Sequence, residues 1–158
     1  MISIVDDDKS VRESANSLLR SLGYATATFA SGEEFLESGC LRDTECLITD
    51  VQMPGMNGVD LQRHLLATGH RTPVIFVTAH PEERLRERAL AAGAVGFLSK
   101  PFREENLIAC LERATGTQNS RLVKGAPRPR AAALPAVGER EARDIQMNAG
   151  AFRDRTPV

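Results

Sequence analysis

Five short apolar runs, separated by segments of helical periodicity, constrain this chain more than any other feature. Ile2 to Val5, Tyr24 to Phe29, Cys46 to Asp50, Pro73 to Thr78 and Ala94 to Lys100 read as strands. "PVIFVT", residues 73–78, is the clearest, because β-branched and aromatic residues fill it. The intervening stretches carry apolar residues three and four apart. Val11, Ala15, Leu18 and Leu22 place one stripe on a first helix, and Gly23 stands where a left-handed terminator belongs. Ser31 and Glu34 have capping-box spacing and open a short second helix that ends near Gly39. Val59, Leu61, Leu65 and Leu66 mark a third, ending near Gly69. Pro81 suits the first turn of a fourth helix, which carries Leu85, Ala89 and Ala92. Leu107, Ile108, Leu111 and Ala114 make a fifth. Strands alternating with helices in this way predict an α/β fold, a parallel sheet covered on both faces.

In such open sheets ligands bind beyond the carboxyl ends of the strands. The polar residues gather there. Asp6, Asp7 and Asp8 follow the first strand, Asp50 ends the third, Thr78 ends the fourth, and Lys100 follows the fifth. Adjacent carboxylates repel one another, and each resists leaving water. A hard divalent cation offsets that repulsion. Mg²⁺ takes oxygen ligands, commonly one or two carboxylates together with waters and phosphate oxygens. A lysine at the same edge adds positive charge without occupying the metal site, and a threonine hydroxyl can donate to a phosphoryl oxygen. Metal, cation, hydroxyl and an attacking carboxylate are the parts of a phosphoryl-transfer site. Taken singly, each has a plainer reading: a solvated turn, a strand terminator, β-propensity, a surface cation. The joint placement carries the inference.

"VDDD" after the first strand, "LITDVQMPGMNG" around the third, "VIFVTAH" and "GFLSKPF" occur in that order. Together they resemble the receiver domain of bacterial two-component response regulators, and are most similar to receivers of nitrogen-fixation and LuxR-type regulators. The resemblance spans residues 1–114. It implies a flavodoxin-like, doubly wound sheet of strand order 2-1-3-4-5. It implies that Asp50 is the phosphoacceptor, taking a phosphoryl group from a histidine of a sensor kinase. Asp6 and Asp7 would hold Mg²⁺, with Asp50 and the backbone carbonyl of Gln52 completing the protein ligands. Thr78 and Phe97 would be the switch pair, and Lys100 would pair with the phosphoryl oxygens. The Lys100–Pro101 bond is expected to be cis. Gln52 and His80, which border the acceptor, are expected to influence phosphoryl loss. Asp8 lies outside the matching pair and reads as a helix N-terminal residue favoured by the dipole.

The implied function is a switchable binding module that catalyses its own phosphorylation and dephosphorylation. It would not be an enzyme turning over a metabolite. Phosphorylation would alter the face made by helix four, strand five and helix five. That face would contact a downstream protein partner, a phosphorelay component or a second copy in a phosphorylation-dependent homodimer. No run of apolar residues is long enough for a membrane span, and the N-terminus lacks the pattern of a signal peptide. The three cysteines, Cys40, Cys46 and Cys110, have no metal-ligand or disulfide-framework spacing. A cytoplasmic setting is the expectation.

Charge divides the chain. Residues 1–114 hold 12 Lys/Arg against 17 Asp/Glu, whereas residues 115–158 hold 8 against 4. The second part, rich in Pro, Ala and Arg, offers little apolar surface to offset ordering entropy and reads as a largely disordered tail. "GERE", 138–141, resembles the opening of a LuxR-type DNA-binding domain, but the remaining chain is too short to build one. The expectation is a single-domain response regulator without that output domain. Two other readings compete. The basic tail could serve a DNA-associated regulator, although it lacks aromatic interleaving and a helix-turn-helix pattern. A Mg²⁺-dependent phosphatase of the aspartyl-nucleophile type would need a second acid two residues after its nucleophile, where this chain has Gln52.

Overall fold

The structure, a computed structural model, describes residues 1–116; of the tail assigned to 115–158, residues 117–158 lie outside them, "GERE" included. In chain order the elements are β1 (Ile2–Val5), α1 (Lys9–Ser21), β2 (Thr26–Phe29), α2 (Gly32–Glu37), a 3₁₀ turn (Cys40–Asp43), β3 (Cys46–Asp50), α3 (Gly58–Ala67), β4 (Val74–Thr78), α4 (Glu83–Ala91), β5 (Gly96–Ser99) and α5 (Glu104–Thr115). All four strand pairings are parallel, in the order β2-β1-β3-β4-β5. This is the five-stranded, doubly wound arrangement that the sequence implies.

Strand alternation sorts the core into two layers. Ile2, Ile4, Cys46, Ile48, Ile75 and Val77 face α1 and α5, where Ala15, Leu19, Leu107, Cys110 and Leu111 meet them. Val5, Leu47, Val74 and Phe76 face the other way, against Phe35 of α2, Leu61 and Leu65 of α3, and Ala89 of α4. The three central strands are buried along their whole length, as a sheet covered on both faces requires.

Local signals set the helix ends. Asp8 is the N-cap of α1, accepting from the backbone N–H groups of Ser10 (2.8 Å) and Val11 (3.3 Å). Ser31 caps α2 by accepting from Glu34 N–H (3.1 Å). The Glu34 carboxylate reaches back to Ala30 N–H (2.6 Å), one residue before the cap itself, so the reciprocal bond of the capping box is shifted outward. Two expectations need adjustment. Pro81 lies outside α4, whose cap is Glu82 in extended backbone conformation. After Gly39 the chain does not run straight to the third strand but makes the 3₁₀ turn, tied by Thr44 Oγ1 donating to Cys40 O (2.8 Å).

The order β2-β1-β3-β4-β5 sends the chain leftward after β1 and rightward after β3. A crevice therefore opens between the carboxyl ends of these two strands. Close packing fixes one wall of it. A side chain at Gly58, the first residue of α3, would overlap the backbone carbonyl of Asp50 and press on Phe76. We expect Gly58→Ala to destabilise the domain by about 2–4 kcal/mol, read by urea unfolding, because the obstruction is backbone and cannot rotate away. Burial also governs the thiols. Desolvation pushes the Cys46 thiol up to about 12, and Cys110 beside it adds to the rise. Cys46 and Cys110 are buried and Cys40 is half-exposed. A thiol reagent at pH 8 is expected to modify Cys40 alone in the native protein, and all three cysteines once it is unfolded.

Candidate functional site

Four of the five strands, β1, β3, β4 and β5, bring polar groups to the crevice. Asp6 follows β1 and is almost wholly buried; Asp50 ends β3 with its side chain 10% exposed. Lys100, after β5, reaches between them. Its Nζ donates to Asp6 Oδ2 at 2.8 Å and to Asp50 Oδ2 at 2.9 Å. One ammonium thus bridges two carboxylates that are 44 residues apart in sequence and adjacent in space. The Lys100–Pro101 peptide bond is cis. Asp7 is exposed, and its carboxylate, with those of Asp6 and Asp50, forms a group of oxygens all within 4.8 Å of one another.

The electrostatics are those of an acid-rich, partly dry crevice. Desolvation is the largest influence on Asp6 and raises its pKa above the usual aspartate range. Lys100, together with a hydrogen bond from Asp8 N–H to Asp6 Oδ1 (2.9 Å), pulls the other way without overcoming it. Burial likewise works against the charged Lys100. There the hydrogen bonds to Asp6 and Asp50 win, and its pKa is raised above that of a free lysine. The two shifts agree on the physics: the lysine gains two carboxylates, while Asp6 has half a lysine to set against the loss of its water. Three carboxylates facing one ammonium leave an excess of negative charge. An all-oxygen donor set carrying that charge fits a hard divalent cation.

The remaining expected residues stand around this centre. Gln52 N–H donates to Asp50 Oδ1 (3.0 Å), which holds the carboxylate from the β3–α3 loop. Thr78 is fully buried; its hydroxyl oxygen accepts from His80 N–H (3.2 Å), and its carbonyl accepts from Lys100 N–H (2.8 Å). Thr78 therefore links the β4–α4 loop to the lysine strand. Phe97 is half-buried on β5, with its ring 6.1 Å from that of Phe76. Asp8, the third acid of the opening cluster, is turned away into the α1 cap.

Sequence reasoning missed two contributors. Arg12, in the first turn of α1, donates from Nη1 to the carbonyls of Asp6 (2.7 Å) and Asp7 (3.1 Å). It clamps the acidic turn through the turn's backbone and does not occupy the carboxylates. It lies four residues past the Asp8 cap, one turn along the helix, and its partners are main-chain carbonyls, which leave no signal in the sequence. Glu33 in α2 accepts from Met56 N–H (2.9 Å), across the β3–α3 loop; no local pattern joins residues so far apart. A surface groove of about 550 Å³ lies beside the centre, between this loop (Val51, Met53, Pro54), Val59 of α3, and Leu85 and Arg88 of α4.

Comparison with known proteins gives the family and agrees with the fold. Residues 2–112 match the family described as the response regulator receiver domain. The response regulator protein TmoT of Ectopseudomonas mendocina is 42% identical over 114 residues, which cover 72% of this chain and 52% of TmoT. The transcriptional regulatory protein FixJ of Azorhizobium caulinodans is 39% identical over 115 residues, 73% of this chain and 54% of FixJ. The chain thus spans about half the length of the curated relatives it matches. The crystal structure of FixJ-N, 36% identical, superposes with a TM-score of 0.66 and covers 75% of this chain and 95% of that one. Fold, motif order and the acid–lysine centre converge, and the chain belongs to the response regulator receiver domain family.

Proposed function

We propose that this chain is a phosphorylation-driven signalling domain in which Asp50 accepts a phosphoryl group from a phosphohistidine of a sensor kinase. The observation that carries this reading is Lys100 bridging Asp50 and Asp6, with Asp7 completing an acid cluster at the topological switch point. An Asp50 carboxylate oxygen attacks phosphorus, the N–P bond of the phosphohistidine breaks, and the imidazole leaves with the bonding electrons. Lys100 already touches the acceptor and exchanges a carboxylate oxygen for a phosphoryl oxygen as its partner. The hydroxyl proton of Thr78 is available to a phosphoryl oxygen, because its present bond uses the hydroxyl oxygen only as acceptor. Asp6, Asp7, Asp50 and the backbone carbonyl of Gln52 would hold Mg²⁺. When bound, Mg²⁺ supplies the positive charge that lets a phosphoryl group approach this many acids.

The chain then acts as a switch and turns over no metabolite. A phosphoryl group brings up to two negative charges and three acceptor oxygens to Asp50. Thr78 and Lys100 lie at the ends of β4 and β5, so their recruitment pulls on the β4–α4 loop and on Phe97. The face built by α4, β5 and α5 carries that change to a protein partner. With no helix among the described residues long and apolar enough to cross a membrane, a cytoplasmic setting suits this reading.

Incubation with Mg²⁺ and a small acyl phosphate, read by intact mass, tests the chemistry. The wild type is expected to gain one phosphoryl group. Asp50→Asn and a metal-free control are expected to gain none. An adduct that persists in Asp50→Asn would place the acceptor elsewhere. The cluster's repulsion makes a second forecast. Asp7 has no cation partner among the described residues, so Asp7→Asn should raise the metal-free melting temperature slightly, on the order of 2 °C. The same variant should lose the Mg²⁺-dependent stabilisation, which for the wild type reaches about 2.7 kcal/mol at a hundred times the dissociation constant.

A further inference from the structure

The β3–α3 loop has a side-chain tie that the chemistry above does not use. Its ends are anchored by backbone: Val51 N–H donates to Val77 O (3.2 Å), and Gly58 N–H donates to Val51 O (3.0 Å). Met53 is buried in the core. Between Met53 and the α3 cap at Asn57, among the described residues, one side chain from a distant part of the sequence hydrogen-bonds the loop backbone. That side chain is Glu33, whose Oε1 accepts from Met56 N–H at 2.9 Å.

The surroundings are shaped to this contact. Gly55 takes a left-handed conformation (φ 75°), and a Cβ there would lie 2.8 Å from Glu33 Oε1. A Cβ at Gly32, beside Glu33 in α2, would lie 3.3 Å from the Met56 sulfur. Two glycines, one on each element, thus let α2 and the loop approach closely enough for the carboxylate to reach the amide. The carboxylate pKa is held below the usual glutamate range by its own backbone N–H, then by Met56 N–H, with the Ser31 hydroxyl adding to the effect, so Glu33 is an anion at neutral pH.

We propose that Glu33 is a positioning residue for the metal and phosphoryl centre: by holding the Met56 amide it fixes the loop that aims Gln52 at Asp50. Gln52 lies on the same loop, four residues before Met56, and its N–H already orients the Asp50 carboxylate. The metal-facing carbonyl assigned above is on the same residue. Releasing Met56 lets the loop swing about its two backbone anchors. The carbonyl of Gln52 and the orientation of Asp50 then become variable, and Mg²⁺ loses a preorganised ligand. Glu33 itself touches neither metal nor phosphoryl group. The inference rests on the reading of Asp6, Asp7, Asp50 and Gln52 as the metal site.

Glu33→Ala and Glu33→Gln separate the hydrogen bond from the charge, since glutamine keeps an acceptor oxygen and loses the anion. Mg²⁺ affinity by calorimetry, amide exchange at Met56 in the metal-free protein, and metal-free melting temperature are the three readouts. The expected result is Mg²⁺ binding weakened roughly three- to ten-fold in Glu33→Ala and largely restored in Glu33→Gln. Met56 exchange should be faster only in the alanine variant, and the metal-free melting temperatures should stay close to wild type. Equal weakening in both variants would assign the effect to charge and overturn the positioning role. Unchanged Mg²⁺ affinity in Glu33→Ala, with wild-type protein binding the metal, would overturn it too. Failure of the wild type to bind Mg²⁺ is a different result, because it removes the metal-site reading and this inference falls with it.

Discussion

The ammonium of Lys100, shared between Asp6 and Asp50, is the interaction on which the rest of this structure turns. Two carboxylates from adjacent central strands end in a partly dry crevice, where unpaired they would repel each other and lack water. A single cation from the sheet's edge strand holds both. The arrangement is deliberately incomplete. Asp7 adds a third negative charge that no cation among the described residues pairs with, so the crevice keeps an excess of negative charge. A fully neutralised centre would be more stable and could recruit nothing.

This imbalance explains the architecture around it. The acids must come from β1 and β3 and the lysine from β5, so the sheet must bring three strands distant in sequence into one plane with matched carboxyl ends. The parallel order β2-β1-β3-β4-β5 does so. Two dry layers of aliphatic and aromatic side chains then hold the strand ends in place, and side-chain caps close the first turns of α1, α2 and α3. Asp8 shows the division of labour at its smallest scale: of three consecutive acids, two face the crevice and the third closes the first turn of α1.

Much of this was legible in the sequence because the signals are local. The alternation that sorts Ile2 and Ile4 from Val5, or Ile48 from Leu47, is a two-residue period, and the helical stripes repeat every three or four. Acids and lysine at strand ends could be assigned to one edge once the strands were known to be parallel. What escaped was long-range or set by backbone geometry. The Glu33–Met56 bond joins elements by packing alone. Arg12 works through carbonyls, which every residue has, so its sequence context carries no mark of the role. The start of α4 after Pro81, and the 3₁₀ turn after Gly39, depend on how the chain enters and leaves the sheet. Residues 117–158 lie beyond what the structure describes, and the charge asymmetry there remains a property of the sequence.

The contact between Gly58 and the Asp50 carbonyl has a consequence for how such a domain diversifies. With no side chain at Gly58, the start of α3 packs directly against the Asp50 carbonyl. Under the proposed function, changes in lifetime, partner or sensitivity would be written on positions such as Gln52 and His80, which touch the centre through main-chain groups and are themselves exposed. On that reading the molecule separates a tightly packed wall behind Asp50 from an adjustable rim, where mutation would retune the signal without disturbing the wall.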